Sequence, residues 1–421
     1  MLHFRYLLLI CCLLATSLSA LTLNQALERF VVTYPGLQAN YQTVLAASNR
    51  IDVARSGYKP TIYSYGSIGV AHYTRSSDRS ANRIPKMMGI AASQPLYKGG
   101  RTVAAIKGTQ YAYLSQELSY EEELDSLLLE TATLYIDVLR EQEILKATQN
   151  NRDYIQRELK VVEDRFKVGD VTRTDLAQAK SRLAGAEAQV IESRGNLRSI
   201  KAELERLIDL EVNVLEFPKP ALDIPGNEAL FIHEALRKNK ELAAQMARYA
   251  SAQQSYLQIK GELYPELDLD GYIQHNRDQS IRHEYANEIV AEFNLTIPLY
   301  QAGRVQARMR EAAALSQREG LIYQELEKFL RQKCVQAWEN YETAKCQINA
   351  YQAQLETAEI ALKGVQDEES AGLRTVLDVL NAEFEVLNAK VNVIDAHRNQ
   401  FVAELEILHH LSSLYERFFC A

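Results

Sequence analysis

The sequence predicts an α+β chain in which one plan is used twice: a helix, a β-hairpin, a very long helix, a short turn and a long return helix. Three observations carry that prediction. First, Pro95, Tyr97, Gly100 and Arg101 recur as Pro298, Tyr300, Gly303 and Arg304, and Gly169, Thr172 and Asp175 recur as Gly372, Thr375 and Asp378, every pair 203 residues apart. One offset held without a gap from Pro95 to Asp175 marks an internal duplication, and a looser match joins Tyr58 and Pro60 to Tyr264 and Pro265. Second, only nine prolines occur in 421 residues, with none between Pro95 and Pro218 or after Pro298. Third, residues 266–274 and 284–297 alternate apolar and polar side chains, the period of a strand with two unlike faces.

In chain order, residues 1–20 read as a secretory signal peptide. His3 and Arg5 lead an apolar run from Leu7 to Leu14, and small residues follow up to Ala20. The run is far short of the ~20 apolar residues of a helical membrane span. Ile10, just before Cys11 and Cys12, stands where a lipidation signal needs a small residue. Repeat one then occupies residues 21–210, with its hairpin at 60–97. A linker at 211–226 is broken by Pro218, Pro220 and Pro225, and repeat two fills 227–421 with its hairpin at 265–298.

The first hairpin pairs Thr61 to Tyr73 with Met87 to Leu96, flanked by Tyr58, Tyr63, Tyr65, Tyr73 and Tyr97. The links from Thr74 to Pro85 and from Asn276 to His283 are polar and loop-like. Strand lengths near ten, alternation and tyrosines near the ends fit transmembrane β-barrel strands.

The segments from Gly100 to Gly169 and from Gly303 to Gly372 contain no proline. Either would reach about 100 Å as a continuous helix, and solvated helices of that length need partners along them. The first return helix shows a seam. Leu176, Leu183, Val190, Leu197 and Leu204 fall every seven residues, and Ala179, Ala186, Ser193, Ile200 and Leu207 follow three later. In the second, one row runs through Leu380, Leu387, Ile394, Phe401 and Leu408, another through Leu377, Phe384, Val391 and Leu405, and a third through Val379, Val386 and Val393. A stripe this wide suits a helix touching neighbours on both sides, as in a ring of helices; a four-helix bundle core also accounts for it.

Composition narrows the function classes. A net charge of −8 argues against nucleic acid, which needs a surplus of Lys and Arg. Cys334, Cys346 and Cys420 are an odd set without a CxxC pair, so neither a disulfide framework nor a zinc site is expected. Adjacent His409 and His410 point about 100° apart on a helix and make a poor metal pair. Gly99, Gly100 and Arg101 lack the remainder of a phosphate loop and read as a sharp strand-to-helix turn. No nucleophile–base pairing or metal-ligand spacing stands out, so no enzyme and no cofactor are expected. Four strands cannot close a barrel, and an open edge in lipid leaves backbone groups unpaired. Either the strands form a small soluble sheet, or several chains close one barrel together; the leader and the tyrosines favour the second.

These features together resemble the TolC family of outer-membrane efflux proteins over nearly the whole chain after the leader. The carrying residues are the paired stretches Pro95 to Arg101 and Pro298 to Arg304, Phe166 to Gly169 with Thr174 and Asp175, and Gly372 to Thr375 with Leu377 to Leu380. The resemblance implies a trimer: a long-helix α-barrel or coiled-coil tunnel capped by a 12-stranded transmembrane β-barrel, four strands per chain, with a small mixed equatorial region around the linker. It also implies a closed periplasmic entrance at the turns that follow the long helices. By motif position, Asp378 and Asn381 sit at the constriction, with Asn381 standing where relatives carry Asp. Arg374 is the gate-holding arginine, with Thr174 and Asp175 its neighbourhood, and Glu369 lies where some relatives use tyrosine. Gly100, Arg101, Gly303, Arg304, Gly169 and Gly372 mark the repeat turns.

The implied function is a passive outer-membrane exit duct of a tripartite efflux or type I secretion system. Its implied partners are two further copies of the chain, a periplasmic adaptor, an inner-membrane pump and outer-membrane lipid. A soluble periplasmic coiled-coil adaptor or structural protein is the competing expectation, and it would lack membrane-grade strands.

Overall fold

The structure, a computed structural model, describes residues 20–74, 80–218, 224, 226–279 and 285–419. The leader up to residue 19, Pro220, Pro225 and Cys420 lie outside the described residues. Nine helices occur among the described residues: α1 Leu23–Thr33, α2 Pro35–Arg55, α3 Arg101–Lys167, α4 Arg173–Ile208, α5 Glu228–Lys238, α6 Lys240–Lys260, α7 Arg304–Ser370, α8 Val376–His410 and α9 Leu414–Phe419. The strands are β1 Thr61–Ile68, β2 Ala71–Thr74, β3 Ser80–Arg83, β4 Lys86–Lys98, β5 Glu266–Arg277 and β6 Tyr285–Thr296. Helices α3 and α7 are each 67 residues long, about 100 Å apiece. No described helix is long and apolar enough to cross a membrane.

One expectation needs correction. The link from Thr74 to Pro85 contains a strand: β3 pairs with β2 as a separate two-stranded ladder, Ala71 opposite Arg83 and Thr74 opposite Ser80. The first strand therefore ends at Ile68 rather than Tyr73, and Tyr73 pairs with Ala81 instead of a residue of β4, because Gly69 and Val70 interrupt the strand.

The chain divides into two compact units. The first comprises Met1–Gln38, Glu123–Asn239 and Leu330–Ala421. Its core joins Leu27 and Phe30 of α1, Leu128 and Tyr135 of α3, Leu204 and Leu207 of α4, and Leu405 of α8, all at or near zero exposure. Each such apolar side chain contributes about 1.5–3 kcal/mol by leaving water. Tyr135 also pins backbone. Its hydroxyl lies 2.6 Å from both the Leu21 and Glu216 carbonyls, sharing its one proton between them, and it accepts from the Glu216 amide at 3.1 Å. The two carbonyls lie at a short parallel bridge between Leu21 and Leu215, in which the Leu21 carbonyl also accepts from the Glu216 amide. Burial pushes the Tyr135 phenol up to about 12, which keeps it a donor. Arg29 of α1 serves the last carbonyls of α4, donating to Ile208 and Asp209 at 3.0 Å each and complementing the negative helix end.

The second unit comprises Ala39–Glu122 and Lys240–Phe329. Its main sheet is antiparallel in the order β1-β4-β5-β6, leaving β1 and β6 as its edges. Residues directly opposite share a face, so the two faces can be read by row. One carries Ile62, Ile68, Met88, Ile90, Ile273, Ile289, Phe293 and Leu295, all exposed. The other carries polar chains bonded across strands. Tyr65 donates to Gln274 at 2.8 Å over Gly89, and Gln274 donates to Glu288 at 2.5 Å. Asn294 donates to Asp270 at 2.6 Å, and Lys98 bridges Glu266 and Asp268. A face both apolar and exposed is the reverse of a soluble sheet.

The turn into α3 requires glycine. Gly99 has φ 61°, and a Cβ there would stand 2.3 Å from the Gly261 carbonyl. Gly100, at φ 78°, meets nothing within 4 Å. The equivalent turn before α7 uses Ala302 at φ 51° and Gly303 at φ 73°.

Candidate functional site

The candidate site is the pair of turns that reverse the chain between α3 and α4 and between α7 and α8, both in the first unit. Each is built from the same two devices. Gly169 and Gly372 end the long helices in the left-handed region, at φ 82° and 75°. Their amides return to the carbonyls of Phe166 and Glu369, and the next amides, of Asp170 and Leu373, return to Arg165 and Glu368. This is a Schellman ending, which only a residue tolerant of positive φ completes without strain.

The second device opens the return helix. Thr172 caps α4 and accepts from the Asp175 amide, while the Asp175 carboxylate accepts from the Thr172 amide at 2.9 Å and from its hydroxyl at 2.8 Å. Thr375 and Asp378 repeat the arrangement on α8, at 3.0 Å and 2.8 Å. Two orphan helix donors are satisfied reciprocally, and the carboxylate sits at the positive helix end. Hydrogen bonds from Thr375, the backbone one first, hold the Asp378 carboxyl below the usual aspartate range, and Thr172 does the same for Asp175.

Ties between neighbouring helices complete the site. Arg165 of α3 donates to Glu369 of α7 at 2.5 Å, and Gln366 of α7 donates to the Tyr154 hydroxyl of α3 at 3.1 Å. Arg182 of α4 donates to the Asn381 side-chain oxygen of α8 at 2.5 Å. Beneath them Ile155, Val162, Ala179, Ala186 and Leu380 form one apolar cluster. The small residues of the α4 seam are what admit α3 and α8 to the same spot.

Within one chain, the expected residues meet partners of their own. Arg374 donates from Nε to Glu368 at 2.8 Å; Thr174 is exposed on the first turn of α4, and Asp175 is engaged by Thr172. Glu369 is brought to Arg165, which sequence reasoning missed. The one available signal was its position beside Phe166 and Gly169 in the repeated turn. Asp378 serves first as a helix cap, and Asn381 is held by Arg182. Two further carboxyls crowd the tie. Burial, then the charge of Glu158, pushes Glu383 up, and burial, then the charge of Glu369, pushes Glu158 up.

Nothing in this geometry performs bond chemistry; it closes helix ends and ties neighbouring helices. The sequence matches the outer membrane efflux protein family over residues 24–209 and 231–411. It is 22% identical to the outer membrane efflux protein BepC of Brucella suis, over 92% of this chain and 84% of that protein. It is 24% identical to the outer membrane protein TolC of Escherichia coli, over 94% of this chain and 83% of that protein. The fold is that of the solved outer membrane channel CmeC of Campylobacter jejuni, with a TM-score of 0.83 at 16% identity over 93% of this chain and 85% of the other. The family is one of transport proteins rather than enzymes. The chain belongs to the outer membrane efflux protein family, and it is an outer-membrane exit duct for efflux or secretion.

Proposed function

We propose that three copies of the chain close one twelve-stranded transmembrane barrel, four strands from each, and that their long helices form a coiled-coil tunnel through the periplasm. The observation that carries this reading is the four-stranded sheet with an exposed apolar face, a bonded polar face and two open edges. Edges left open in lipid would strand backbone donors and acceptors, so the sheet must be completed by further copies. From the Leu267 row to the Arg277 row is ten residues, about 34 Å along a strand. A tilt of about 40° reduces that to roughly 26 Å, close to the ~25 Å apolar band of such barrels. A soluble adaptor has no use for such a face.

In this reading the turns around Gly169 and Gly372 form the periplasmic entrance. Asp378 and Asn381 contribute to the constriction, and Arg374, Thr174, Asp175 and Glu369 belong to the contacts that hold it shut. Residues 1–20 are the leader, 21–210 and 227–421 the two repeats, and 211–226 the equatorial linker. The duct does no chemistry, so an inner-membrane pump supplies the energy and a periplasmic adaptor joins the two. Planar-bilayer recording of the detergent-extracted protein, with chemical cross-linking to count subunits, tests the reading. Discrete channels from a cross-linked trimer are expected. A monomer, or a preparation without conductance even as Asp378→Ala, would overturn it.

A further inference from the structure

The charges on the main sheet are segregated. All five carboxylates of its four strands, Glu266, Asp268, Asp270, Glu288 and Glu292, stand on the polar face together with Lys98. The apolar face carries two charged side chains, Lys86 and Arg277, and both are exposed. They are direct register partners in its last row at the hairpin-link end, with Ile68 on one side and Tyr285 on the other. Like charges directly opposite repel. The nearby carboxylate of Asp278 is engaged by Arg83 at 3.3 Å. The next row adds His275, bonded to Asn287 at 2.7 Å and stacked on Tyr285 with ring centroids 6.3 Å apart, which fixes that aromatic beside the pair. Lys86 and Arg277 lie on the two interior strands, so copies joining at β1 and β6 leave them uncovered.

We infer that this rim binds a phosphate-bearing lipid headgroup of the leaflet it meets, with the acyl chains running down the face over Met88, Ile90, Ile273 and Ile289. The inference rests on the reading of the sheet as part of a membrane-spanning barrel. Two cations at the border of an apolar band, beside an interfacial tyrosine, match an anion that is tethered to hydrocarbon. A free phosphate would gain only the charge; a lipid gains the charge and the apolar surface below it.

The test uses the full-length protein extracted in a neutral detergent. It is titrated with diphosphoryl lipid A, with the same lipid after removal of its phosphates, and with inorganic phosphate, and bound lipid is counted by native mass spectrometry. The phosphorylated lipid should bind at least about tenfold tighter than the stripped one. Lys86→Gln with Arg277→Gln should lower its affinity by about tenfold or more, and Lys86→Arg with Arg277→Lys should keep it. Planar-bilayer conductance of the same preparations shows that the barrel has formed. A conducting Gln variant with unchanged lipid affinity overturns the site, and so does inorganic phosphate that displaces the lipid at equal concentration. Should the double variant not conduct, Lys86→Gln alone carries the test, with about fivefold expected and no change overturning the site. Absent conductance from the unaltered protein overturns instead the barrel reading beneath it.

Discussion

Glu369 accepts from the Arg165 guanidinium at 2.5 Å, an ion pair that ties α7 to α3 across 204 residues of sequence. Its members are partly exposed, at 35% and 21% of the side chain, so about 0.2–1 kcal/mol is the expected worth of the pair. That is small for a fold and sufficient to bias an entrance whose two states differ by a few kcal/mol. Arg165→Ala or Glu369→Ala should therefore leave assembly intact and raise the open-time fraction in planar bilayers, and with it the entry of large antibiotics into cells. The charge-swapped pair, Arg165→Glu with Glu369→Arg, should restore the closed behaviour. Unchanged leakage in all three variants would remove this tie from the gate.

The two caps make a separable prediction. Thr172→Ala and Thr375→Ala each remove a reciprocal cap at the start of a return helix, at a cost of about 1 kcal/mol. Fraying should open the adjoining turns to trypsin at Arg173 and Arg374, with cleavage about fivefold faster if local opening limits it. Thr→Ser at either position should keep the original rate. Equal rates for the Ala and Ser variants would mean that the cap is not what holds the turn.

The long helices, the four long strands and the duplicated turns were legible in the sequence, because each is written in periodicity or in residues that only a turn requires. Contact partners were not. A constant offset of 203 equates Arg101 with Arg304, yet it says nothing of which side chain Glu369 meets. Arg374 and Asp175 look complementary by charge, and the structure gives Arg374 to Glu368 because both flank one Schellman turn. Asp378 is visible as an acidic residue at a turn. That it caps its own helix follows from Thr375 lying three residues earlier, the same signature that Thr172 and Asp175 carry.

The turns should respond to pH in two opposed ways. Asp175 and Asp378 are held low by their caps, so the stability they contribute is present above the ordinary aspartate value and is lost as pH falls through their depressed folded values. Glu158 and Glu383 are held high by burial. Their contribution is most favourable below the ordinary glutamate value and is lost as pH rises through their raised folded values. Glu383→Gln should therefore raise the thermal transition at neutral pH, and the gain should vanish in mild acid. A gain of equal size at both pH values would assign the effect to packing.

The sheet offers a positional contrast. Ile273 and Gln274 are neighbours on β5, and Ile273 stands 61% exposed on the apolar face. If the apolar face meets lipid as proposed, a lysine at Ile273 places a charge near the middle of the band, costing about 2–4 kcal/mol. Ile273→Lys should strongly reduce the fraction of protein recovered in the outer membrane, whereas Gln274→Lys, on the polar face, should assemble. Equal assembly of the two would argue that the apolar face does not meet lipid.

Asn381 tests how the proposed constriction holds charge. Replacing it by Asp adds one carboxylate per chain beside Asp378, which on sequence grounds alone should strengthen block by divalent cations. The structure changes the expected outcome, because Arg182 already donates to the Asn381 oxygen at 2.5 Å. An Asp at this position would form an ion pair with that guanidinium, and its charge would be largely neutralised where it stands. Asn381→Asp alone should therefore change the blocking concentration of magnesium little, while Asn381→Asp combined with Arg182→Gln should lower it severalfold. The Arg182→Gln control should by itself loosen the α4–α8 tie and raise the basal open fraction without strengthening block. Planar-bilayer recordings over a magnesium titration separate these outcomes. Strong block by Asn381→Asp alone would show that Arg182 turns away from this oxygen in the assembled entrance.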